Sequence, residues 1–208
     1  HTSYPLGEEL FRSLGTAKIF SRLDLRSGFY QIPLAEDSRD FAAFWWGNEL
    51  YRPKKVVFGL KQAPAWFQGI MEFEIGRAGL TKHCRVFIDD MLVCTDTWEE
   101  HLEVLERLFA MLAAANLKVH PEKSAFGSTT IEFLGFNVSN FGLTPQKAKI
   151  EAFRQLPPPA NLQDLQVVIG KLRYYACFVL AFSQKAQPMI ALLKKDTRWS
   201  WTEQCQKA

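Results

Sequence analysis

The sequence lacks any apolar run close to the ~20 residues that a membrane-spanning helix needs, and no signal peptide opens it. Four cysteines and four histidines occur in 208 residues, and neither type shows the spacing of a zinc site or a disulfide framework. We therefore expect free thiols or core cysteines, no membrane contact and no secretion. Because the first residue is His1 rather than Met, we also expect both ends to continue into a longer protein.

Apolar and aromatic side chains are abundant, with 48% hydrophobic residues, 17 Phe and six Trp. A chain of this length and composition can bury a sizeable core in one domain, or in one domain with an appendage. The net charge of +3 hides an asymmetry, since ten Lys and Arg but only four Asp and Glu follow residue 140. An acidic body with a basic C-terminal segment is typical of a protein that binds a polyanion, although a solvated basic helix face gives the same count.

Two adjacent carboxylates, Asp89 and Asp90, stand between the apolar runs 86–88 and 91–93. Runs of this length predict two strands joined by a tight turn, and Asp is an ordinary turn residue. The alternative to a surface hairpin is a metal site, because apolar flanks bring two like charges close to the core, where a cation must neutralise them. Oxygen-only ligands suit Mg²⁺, so the hairpin is a candidate metal site that needs a third carboxylate.

Asp24 is the candidate for this third carboxylate, because it stands at the end of a predicted strand that begins at Ile19. It lies 65 positions before Asp89, so only the pairing of neighbouring strands can bring the two side chains together. We predict that Asp24, Asp89 and Asp90 converge closely enough to share metal ions. Gly28, shortly after Asp24, permits a tight backbone path before Phe29.

The rest of the pattern mixes helices and strands, which indicates an α+β fold. Helices are predicted over 4–18, within 58–75, over 98–116 after an Asp96-Thr97 cap, and in two segments beyond residue 160. Strands over 39–46 and 49–58 meet at Gly47-Asn48, and we expect their aromatics to pack in a core. Gly135 falls inside another predicted strand. The run 156–159, Leu-Pro-Pro-Pro, is the clearest linker and predicts a domain boundary between about residues 141 and 160.

Two of these helices have predicted apolar faces. The face of the first comprises Trp66, Phe67, Ile70, Met71 and Phe73. The face of the second comprises Leu102, Leu105, Leu108, Phe109 and Leu112.

Three stretches occur together in this chain, namely LDLRSGFYQI around Asp24, FGLKQAPAWFQ at 58–68 and FIDD at 87–90. In this order and spacing the chain resembles the palm of reverse transcriptases, in particular those of gypsy-type long-terminal-repeat retrotransposons and, more distantly, of retroviruses. FLGF at 133–136 is similar to the primer grip of the family. The segment from NLQDLQ to WSWTEQC is similar to its thumb and to the start of the connection toward an RNase H domain.

The resemblance implies a right-hand polymerase fold in which an antiparallel palm sheet packs on helices and a helical thumb follows. Palm with a remnant of the fingers would occupy residues 1–140, the thumb 141–195, and the start of the connection 196–208. In the family, Lys and Arg residues of the fingers clamp the triphosphate well upstream of the first catalytic Asp. Only 23 residues precede Asp24, so we expect the fingers to be largely missing, and the activity of the fragment alone stays open.

The function that the resemblance implies is RNA-directed DNA synthesis, in which two Mg²⁺ ions, or Mn²⁺ in their place, lie about 4 Å apart. The implied catalytic residues are Asp24, Asp89 and Asp90 as metal ligands and Lys123 as proton donor to the pyrophosphate, unless Lys123 is a solvated loop lysine. The implied nucleotide-binding residues are Leu25, Phe29, Phe58, Gly59, Lys61 and Gln62. The implied primer- and template-binding residues are Phe133, Leu134, Gly135, Phe136, Gln166, Gly170, Lys171 and Tyr174.

Phe29 follows Asp24 by five residues, where the family has an aromatic gate against the ribose 2′-hydroxyl; a core aromatic is the alternative. The implied partners are an RNA or DNA template with its primer, deoxynucleoside triphosphates and neighbouring polyprotein domains such as RNase H. The expected location is intracellular, in the cytoplasm, a virus-like particle or the nucleus. Two alternatives stay open: a non-catalytic nucleic-acid-binding or structural component of retroelement origin, and another palm-fold enzyme such as a nucleotidyl cyclase.

Overall fold

The computed structural model describes residues 14, 16–195 and 197–207. Its strands are β1 (Ile19–Asp24), β2 (Phe44–Trp46), β3 (Glu49–Tyr51), β4 (Cys84–Phe87), β5 (Asp90–Thr95), β6 (Ala125–Ser128), β7 (Thr130–Phe133), β8 (Phe136–Ser139) and β9 (Gly142–Pro145). Its α-helices are α1 (Gly28–Gln31), α2 (Ala63–Arg77), α3 (Trp98–Ala114), α4 (Lys147–Arg154), α5 (Leu162–Tyr174), α6 (Phe182–Lys185), α7 (Gln187–Ala191) and α8 (Glu203–Lys207). The helix predicted over 4–18 falls largely outside the described residues.

The described residues form two compact units, one of residues 14–133 with 138–142 and the other of residues 134–137 with 143–207. Helices and antiparallel strands are both present, so the predicted α+β class is confirmed. The assignment of palm, thumb and connection to particular ranges stays a prediction. No helix of the described part is long and apolar enough to cross a membrane.

The first unit is organised around a four-stranded sheet with the strand order β4-β5-β1-β6. Adjacent strands run antiparallel, and β1 pairs with β5 along its whole length, from Ile19 opposite Thr95 to Asp24 opposite Asp90. Because side chains alternate between the two faces of a strand, one face of the sheet carries Leu23. This side chain is buried in the core of the unit, together with Met91, Val93, Phe67, Met71, Ile75, Val104, Leu108 and Leu112.

Helix α2 begins within the predicted range 58–75, after Gln62, and has Pro64 in its first turn, where a missing N–H costs nothing. Phe67 and Met71 are buried as predicted, and Ile75 continues the same stripe one turn later. The predicted face was wrong at its edges, because Trp66, Ile70 and Phe73 are exposed. The buried stripe follows a four-residue spacing, and these three positions lie beside it rather than on it.

Helix α3 is capped as predicted. The Thr97 hydroxyl accepts a hydrogen bond from the backbone N–H of Glu100 at 3.3 Å, while the Glu100 carboxylate accepts one from the N–H of Asp96 at 3.0 Å. Its predicted core face was wrong at Leu102 and Phe109, which are exposed, whereas Leu108 and Leu112 are buried. The buried face also includes His101, Val104 and Met111. Counting only apolar residues hid the contribution of a buried histidine to this face.

His101 is almost completely buried and joins α3 to the central sheet. Its Nε2 lies 2.7 Å from the Ser21 hydroxyl and its Nδ1 lies 2.7 Å from the Thr95 hydroxyl. The Ser21 hydroxyl also accepts a hydrogen bond from the Gly127 N–H at 2.9 Å. Burial lowers the pKa of His101 below its ordinary value of 6.5, so the folded chain favours the neutral imidazole.

We expect the free energy of unfolding to fall as the pH drops below about 6.5, because the unfolded chain then gains a proton that folded His101 resists. The contribution is fully present above this pH and is lost as the pH falls toward the lowered folded-state pKa. Urea unfolding at a series of pH values measures the slope. The His101→Gln variant, which has no titrating ring but can still bond both hydroxyls, should show a smaller slope; an unchanged slope would contradict this assignment.

The hairpin of β2 and β3 turns at Gly47-Asn48 as predicted, but its strands are much shorter than predicted. Residues Glu36–Ala42 form a 3₁₀ helix, and the chain beyond Tyr51 leaves the ladder. The expectation that the hairpin aromatics pack in a core was wrong, since Trp45 and Trp46 are 69% and 74% exposed. The physical reason is that β2 and β3 pair only with each other, so the described residues supply no second layer.

Gly135 lies in a turn rather than inside a strand, which corrects the prediction. Leu134 and Gly135 connect β7 to β8, and both have positive φ angles, 49° and 78°. Two consecutive positive φ values are typical of the two-residue turn that matches the twist of a hairpin. The FLGF stretch is therefore a hairpin tip, with Phe133 ending one strand and Phe136 beginning the next.

The second unit is helical apart from its share of β8 and β9. Helix α5 begins at the predicted asparagine cap, where the Asn161 side chain accepts a hydrogen bond from the Asp164 N–H at 2.9 Å. Leu165 and Ile169, one turn apart on α5, belong to a small core with Ala186, Met189 and Cys205. Cys84, Cys94 and Cys205 are buried free thiols, in line with the prediction of free or core cysteines.

Candidate active site and nucleic-acid interface

The Asp-Asp stretch is a tight hairpin, as predicted. Strand β4 ends at Phe87, which pairs with Asp90, the first residue of β5, so Ile88 and Asp89 form the turn. Asp89 is exposed at the tip and Asp90 is half-buried. The apolar flanks of the stretch are strand residues of a buried sheet, which is why a pair of carboxylates comes to lie at the edge of the core.

Strand pairing brings Asp24 to the hairpin. Asp24 ends β1 directly opposite Asp90 of β5, and the backbone N–H of Leu25 donates to the carbonyl of Asp89 at 2.9 Å. Directly paired residues of antiparallel strands have Cα atoms about 4.5–5.5 Å apart and present their side chains on the same face. The strand pairing therefore places the backbone of Asp24 beside the hairpin, while the convergence of the three carboxyl groups stays a prediction.

The charged residues around Asp90 shift the pKa of its carboxyl group. The pKa of Asp90 is raised from its ordinary value of 3.8, first by burial and then by the neighbouring carboxylates of Asp89 and Asp24. Arg22 and Lys123 act in the opposite direction and lower this pKa. The net effect is a carboxylate whose ionised form is disfavoured unless more positive charge arrives.

These residues fit a divalent cation by the chemistry of their donors, since three carboxylates offer oxygen ligands. The pKa of Asp90 is raised first by burial and then by Asp89 and Asp24, and a bound cation would oppose this effect. Within the described residues, however, no three His, Cys, Asp or Glu side chains already stand in ligand geometry. The sharing of metal ions by Asp24, Asp89 and Asp90 therefore stays a prediction. Bringing like-charged carboxylates closer requires a cation between them.

We expect the Asp90→Asn variant to unfold at a higher temperature than the wild type in metal-free buffer at about pH 7. Because the pKa of Asp90 is raised on folding, its charge lowers the free energy of unfolding once the pH rises through the folded-state pKa. The neutral amide removes this effect. The difference should shrink at about pH 3, where the carboxyl is protonated in both states, and a variant with a lower melting temperature at neutral pH would contradict the prediction.

Arg22 is a site residue to which the sequence analysis gave no role. It lies two residues before Asp24 on β1, so both side chains occupy the same face of the strand. Its guanidinium donates to the backbone carbonyls of Glu132 and Lys123, each at 3.0 Å. The two-residue spacing from a strand-end carboxylate was the signal that could have identified it.

Lys123 ends the 3₁₀ helix Pro121–Lys123, and its side chain is exposed. The segment is attached to the end of β1, because the His120 N–H donates to the Asp24 carbonyl at 2.7 Å and the Asp24 N–H donates to the Ser124 hydroxyl at 3.2 Å. The charge of Lys123 lowers the pKa of Asp90, so it acts on the carboxylate cluster. Its role as a proton donor stays a prediction.

Phe29 lies beside the hairpin because Gly28 lets the chain approach closely. A Cβ atom on Gly28 would lie 3.1 Å from a ring carbon of Phe67 and 3.2 Å from the Cβ of Asp89. The Phe29 ring is half-buried and makes edge-to-face contacts with Phe58 and Phe67, at centroid distances of 5.4 and 5.5 Å. The structure thus gives Phe29 a packing role, and its neighbour Gly28 is the residue that lies against Asp89.

The other predicted nucleotide-binding residues differ in accessibility. The Leu25 side chain is buried in the core, because the strand alternation that leaves Asp24 partly exposed turns its neighbour inward. Its role in nucleotide binding stays a prediction, and one that its backbone rather than its side chain would fulfil. Four residues are exposed in the loop before α2, and they are Phe58, Gly59, Lys61 and Gln62. Gly59 has a φ of 95°, a conformation that other residues rarely adopt.

In the second unit, the predicted primer-grip residue Phe136 is buried, and so is Phe133, which ends β7 in the first unit. Strand alternation directs both side chains into the interior, so their roles at a primer stay predictions that would have to rest on the neighbouring backbone. Leu134 and Gly135 at the turn between them are half-buried. The Tyr174 hydroxyl donates to the Leu134 carbonyl at 2.6 Å, and its ring stacks on Phe136 at a centroid distance of 5.2 Å.

Helix α5 carries the other predicted primer-binding residues, Gln166, Gly170, Lys171 and Tyr174, and all four are exposed. A cavity of about 630 Å³ lies between α4 and α5 within the second unit. It is lined by Gly170, Lys171 and Tyr174 together with Lys149 and Phe153. Aromatic rings beside lysines suit a nucleic-acid backbone with stacked sugars or bases.

The family model described as reverse transcriptase (RNA-dependent DNA polymerase) matches residues 2–138. The chain belongs to the reverse transcriptase family. Its curated relatives include the retrovirus-related Pol polyproteins from the transposons opus and gypsy of Drosophila melanogaster. The chain is 37% identical to the first over 92% of its own length and 31% identical to the second over 90%. It spans about a fifth of these relatives, 19% of the first and 18% of the second.

Two solved structures of a foamy viral protease-reverse transcriptase share the fold. The complex with double-stranded DNA has a TM-score of 0.85 and 25% identity, and the match covers 99% of this chain and 36% of that one. The complex with an RNA/DNA hybrid has a TM-score of 0.81 and 26% identity, with 95% and 27% covered.

Proposed function

We propose that the chain is the catalytic part of an RNA-directed DNA polymerase, which adds deoxynucleotides to a primer 3′-hydroxyl as a template directs. The observation that carries this proposal is the pairing of Asp24 with Asp90 beside the exposed Asp89 at the hairpin tip. Membership of the reverse transcriptase family supports it, and so do the relatives of known structure, which hold double-stranded DNA and an RNA/DNA hybrid.

In this proposal Asp24 and Asp89 hold two Mg²⁺ ions, or Mn²⁺ in their place, and Asp90 ligates or supports them. Bound divalent ions lower the pKa of the primer hydroxyl and neutralise charge on the transferred phosphate. Phosphoryl transfer otherwise asks the protein mainly for positioning and charge compensation. Arg22 and Lys123, whose charges lower the pKa of Asp90, share in that compensation. Lys123 also protonates the leaving pyrophosphate in this proposal.

The remaining residues orient the substrates. Phe29 contacts Phe58 and Phe67, directly follows Gly28, which lies against the base of the Asp89 side chain, and excludes a ribose 2′-hydroxyl. The exposed loop of Gly59 and Lys61 faces the incoming nucleotide. The α4–α5 groove receives the primer–template backbone, with Gly170 permitting close approach. A polyprotein context with domains such as RNase H is part of the proposal, because the curated relatives are polyproteins.

Primer extension tests the proposal. A DNA primer annealed to an RNA template is incubated with deoxynucleotides and Mg²⁺, both with this chain and with the longest translation product that contains it. Extension that depends on the template, on Mg²⁺ and on Asp24 is expected, with Asp24→Asn as the inactive control. If primer–template binds but no product forms with either protein, the non-catalytic nucleic-acid-binding alternative is favoured.

A further inference from the structure

Gln68 is a buried polar residue in the core beneath the catalytic hairpin. It lies on α2 and is only 4% exposed. Its amide nitrogen donates to the carbonyl of Val86 on β4 at 3.0 Å, and its amide oxygen accepts from the N–H of Ile88 at 2.7 Å. The same amide nitrogen also lies 2.7 Å from the Glu72 carboxylate one turn along α2. One side chain therefore satisfies two backbone groups of the strand and turn that precede Asp89.

The turn that Gln68 contacts has an unfavourable backbone. Ile88 has a φ of 56°, in the left-handed region that β-branched residues rarely adopt. Such a conformation persists only where surrounding contacts impose it. On the other side of the turn the Asp89 carbonyl accepts from the Leu25 N–H at 2.9 Å, so the two-residue turn is fixed at both of its ends.

We infer that Gln68 is a positioning residue: it holds Ile88 in its left-handed conformation and thereby fixes the direction in which Asp89 leaves the hairpin. The inference rests on the proposed function in one respect: the direction of Asp89 matters because this side chain is proposed to hold metal ions. Only an amide meets the requirement, since the side chain must donate to Val86 and accept from Ile88 at once. A glutamate could accept but not donate, and a methionine of similar shape could do neither.

The test compares Gln68→Met with a variant that damages the same core without touching the hairpin. Ile75 lies on the same helix, two turns later, and is buried in the same cluster, so Ile75→Ala is the matched control. Mn²⁺ binding is followed by electron paramagnetic resonance, with and without primer–template. Hydrogen exchange at the Ile88 amide and the melting temperature are measured on the same samples.

We expect Gln68→Met to weaken Mn²⁺ binding by about tenfold, which is typical when a residue that orients a metal ligand is lost. The Ile88 amide should also lose its protection from exchange. Ile75→Ala should lower the melting temperature at least as much and leave both readouts close to wild type. A merely structural role predicts that the two variants change Mn²⁺ affinity in proportion to their loss of stability, and that result would overturn the inference.

The outcomes separate this inference from the proposed function. Suppose that the wild type extends primers and that Gln68→Met leaves Mn²⁺ affinity and the protection of the Ile88 amide unchanged. This result contradicts the positioning role of Gln68 and leaves the proposed polymerase function standing. Suppose instead that the wild type binds Mn²⁺, that Gln68→Met weakens this binding, and that no primer is extended. This result supports the positioning role of Gln68 and contradicts the proposed polymerase function.

Discussion

The Asp89→Asn variant is expected to lose Mg²⁺-dependent primer extension by roughly 10³-fold or more, because a ligand charge that stabilises the transition state is removed. Asp89 stands exposed at the hairpin tip, next to the Asp24–Asp90 pair. Single-turnover extension of a DNA primer on an RNA template measures the loss, in the longest product that contains this chain.

Binding of primer–template should survive this substitution, because contacts with phosphates come from basic residues and not from the carboxylates. The matched control is Asp37→Asn, which removes an exposed carboxylate from the 3₁₀ helix Glu36–Ala42, away from β1 and the hairpin. Extension by Asp89→Asn at the level of Asp37→Asn would rule out the assignment of Asp89.

The Phe29→Ala variant is expected to raise the use of ribonucleotides relative to deoxyribonucleotides by about 100-fold, since discrimination that rests on a clash disappears when the clashing ring is removed. Because Phe29 also contacts Phe58 and Phe67, some loss of stability accompanies the change. A fully buried Phe→Ala costs about 3–5 kcal/mol, and the half-buried ring should cost less. The ratio of kcat/KM for the two sugars is the measurement.

Phe67→Leu separates the two roles of this aromatic cluster. Phe67 is buried beneath Phe29, so its truncation should lower stability without opening space at the sugar. A shift of the sugar ratio is therefore expected only for Phe29→Ala. If both variants leave the ratio unchanged while stability falls, Phe29 is a core aromatic and the gate assignment is wrong.

The carboxylate site could be predicted because its signals are local. Two apolar runs around Asp89 and Asp90 specify a hairpin, and a strand that ends in Asp24 can meet it only by lateral pairing. The register that sets Asp24 opposite Asp90 follows from burying Leu23 and Met91 on the same face of the sheet, since a one-residue slip would expose both.

The sequence could not predict features that depend on what covers a surface. Trp45 and Trp46 have the composition of a core strand, yet β2 pairs only with β3 and no other described element covers them. Gly135 was misplaced because one strand and two strands around a tight turn give nearly the same apolar pattern. Gln68 is the last residue of the stretch FGLKQAPAWFQ, but its role depends on the φ angle of Ile88, which the sequence does not reveal.

A crystal structure with primer–template, an incoming nucleotide and Mn²⁺ tests the central claim most directly, because Mn²⁺ can be located by its anomalous scattering. We predict two peaks about 4 Å apart, both within ligand distance of Asp24 and Asp89, with the primer 3′-end directed at them. Peaks located elsewhere, or a nucleic acid bound with its primer end away from the hairpin, would contradict the account.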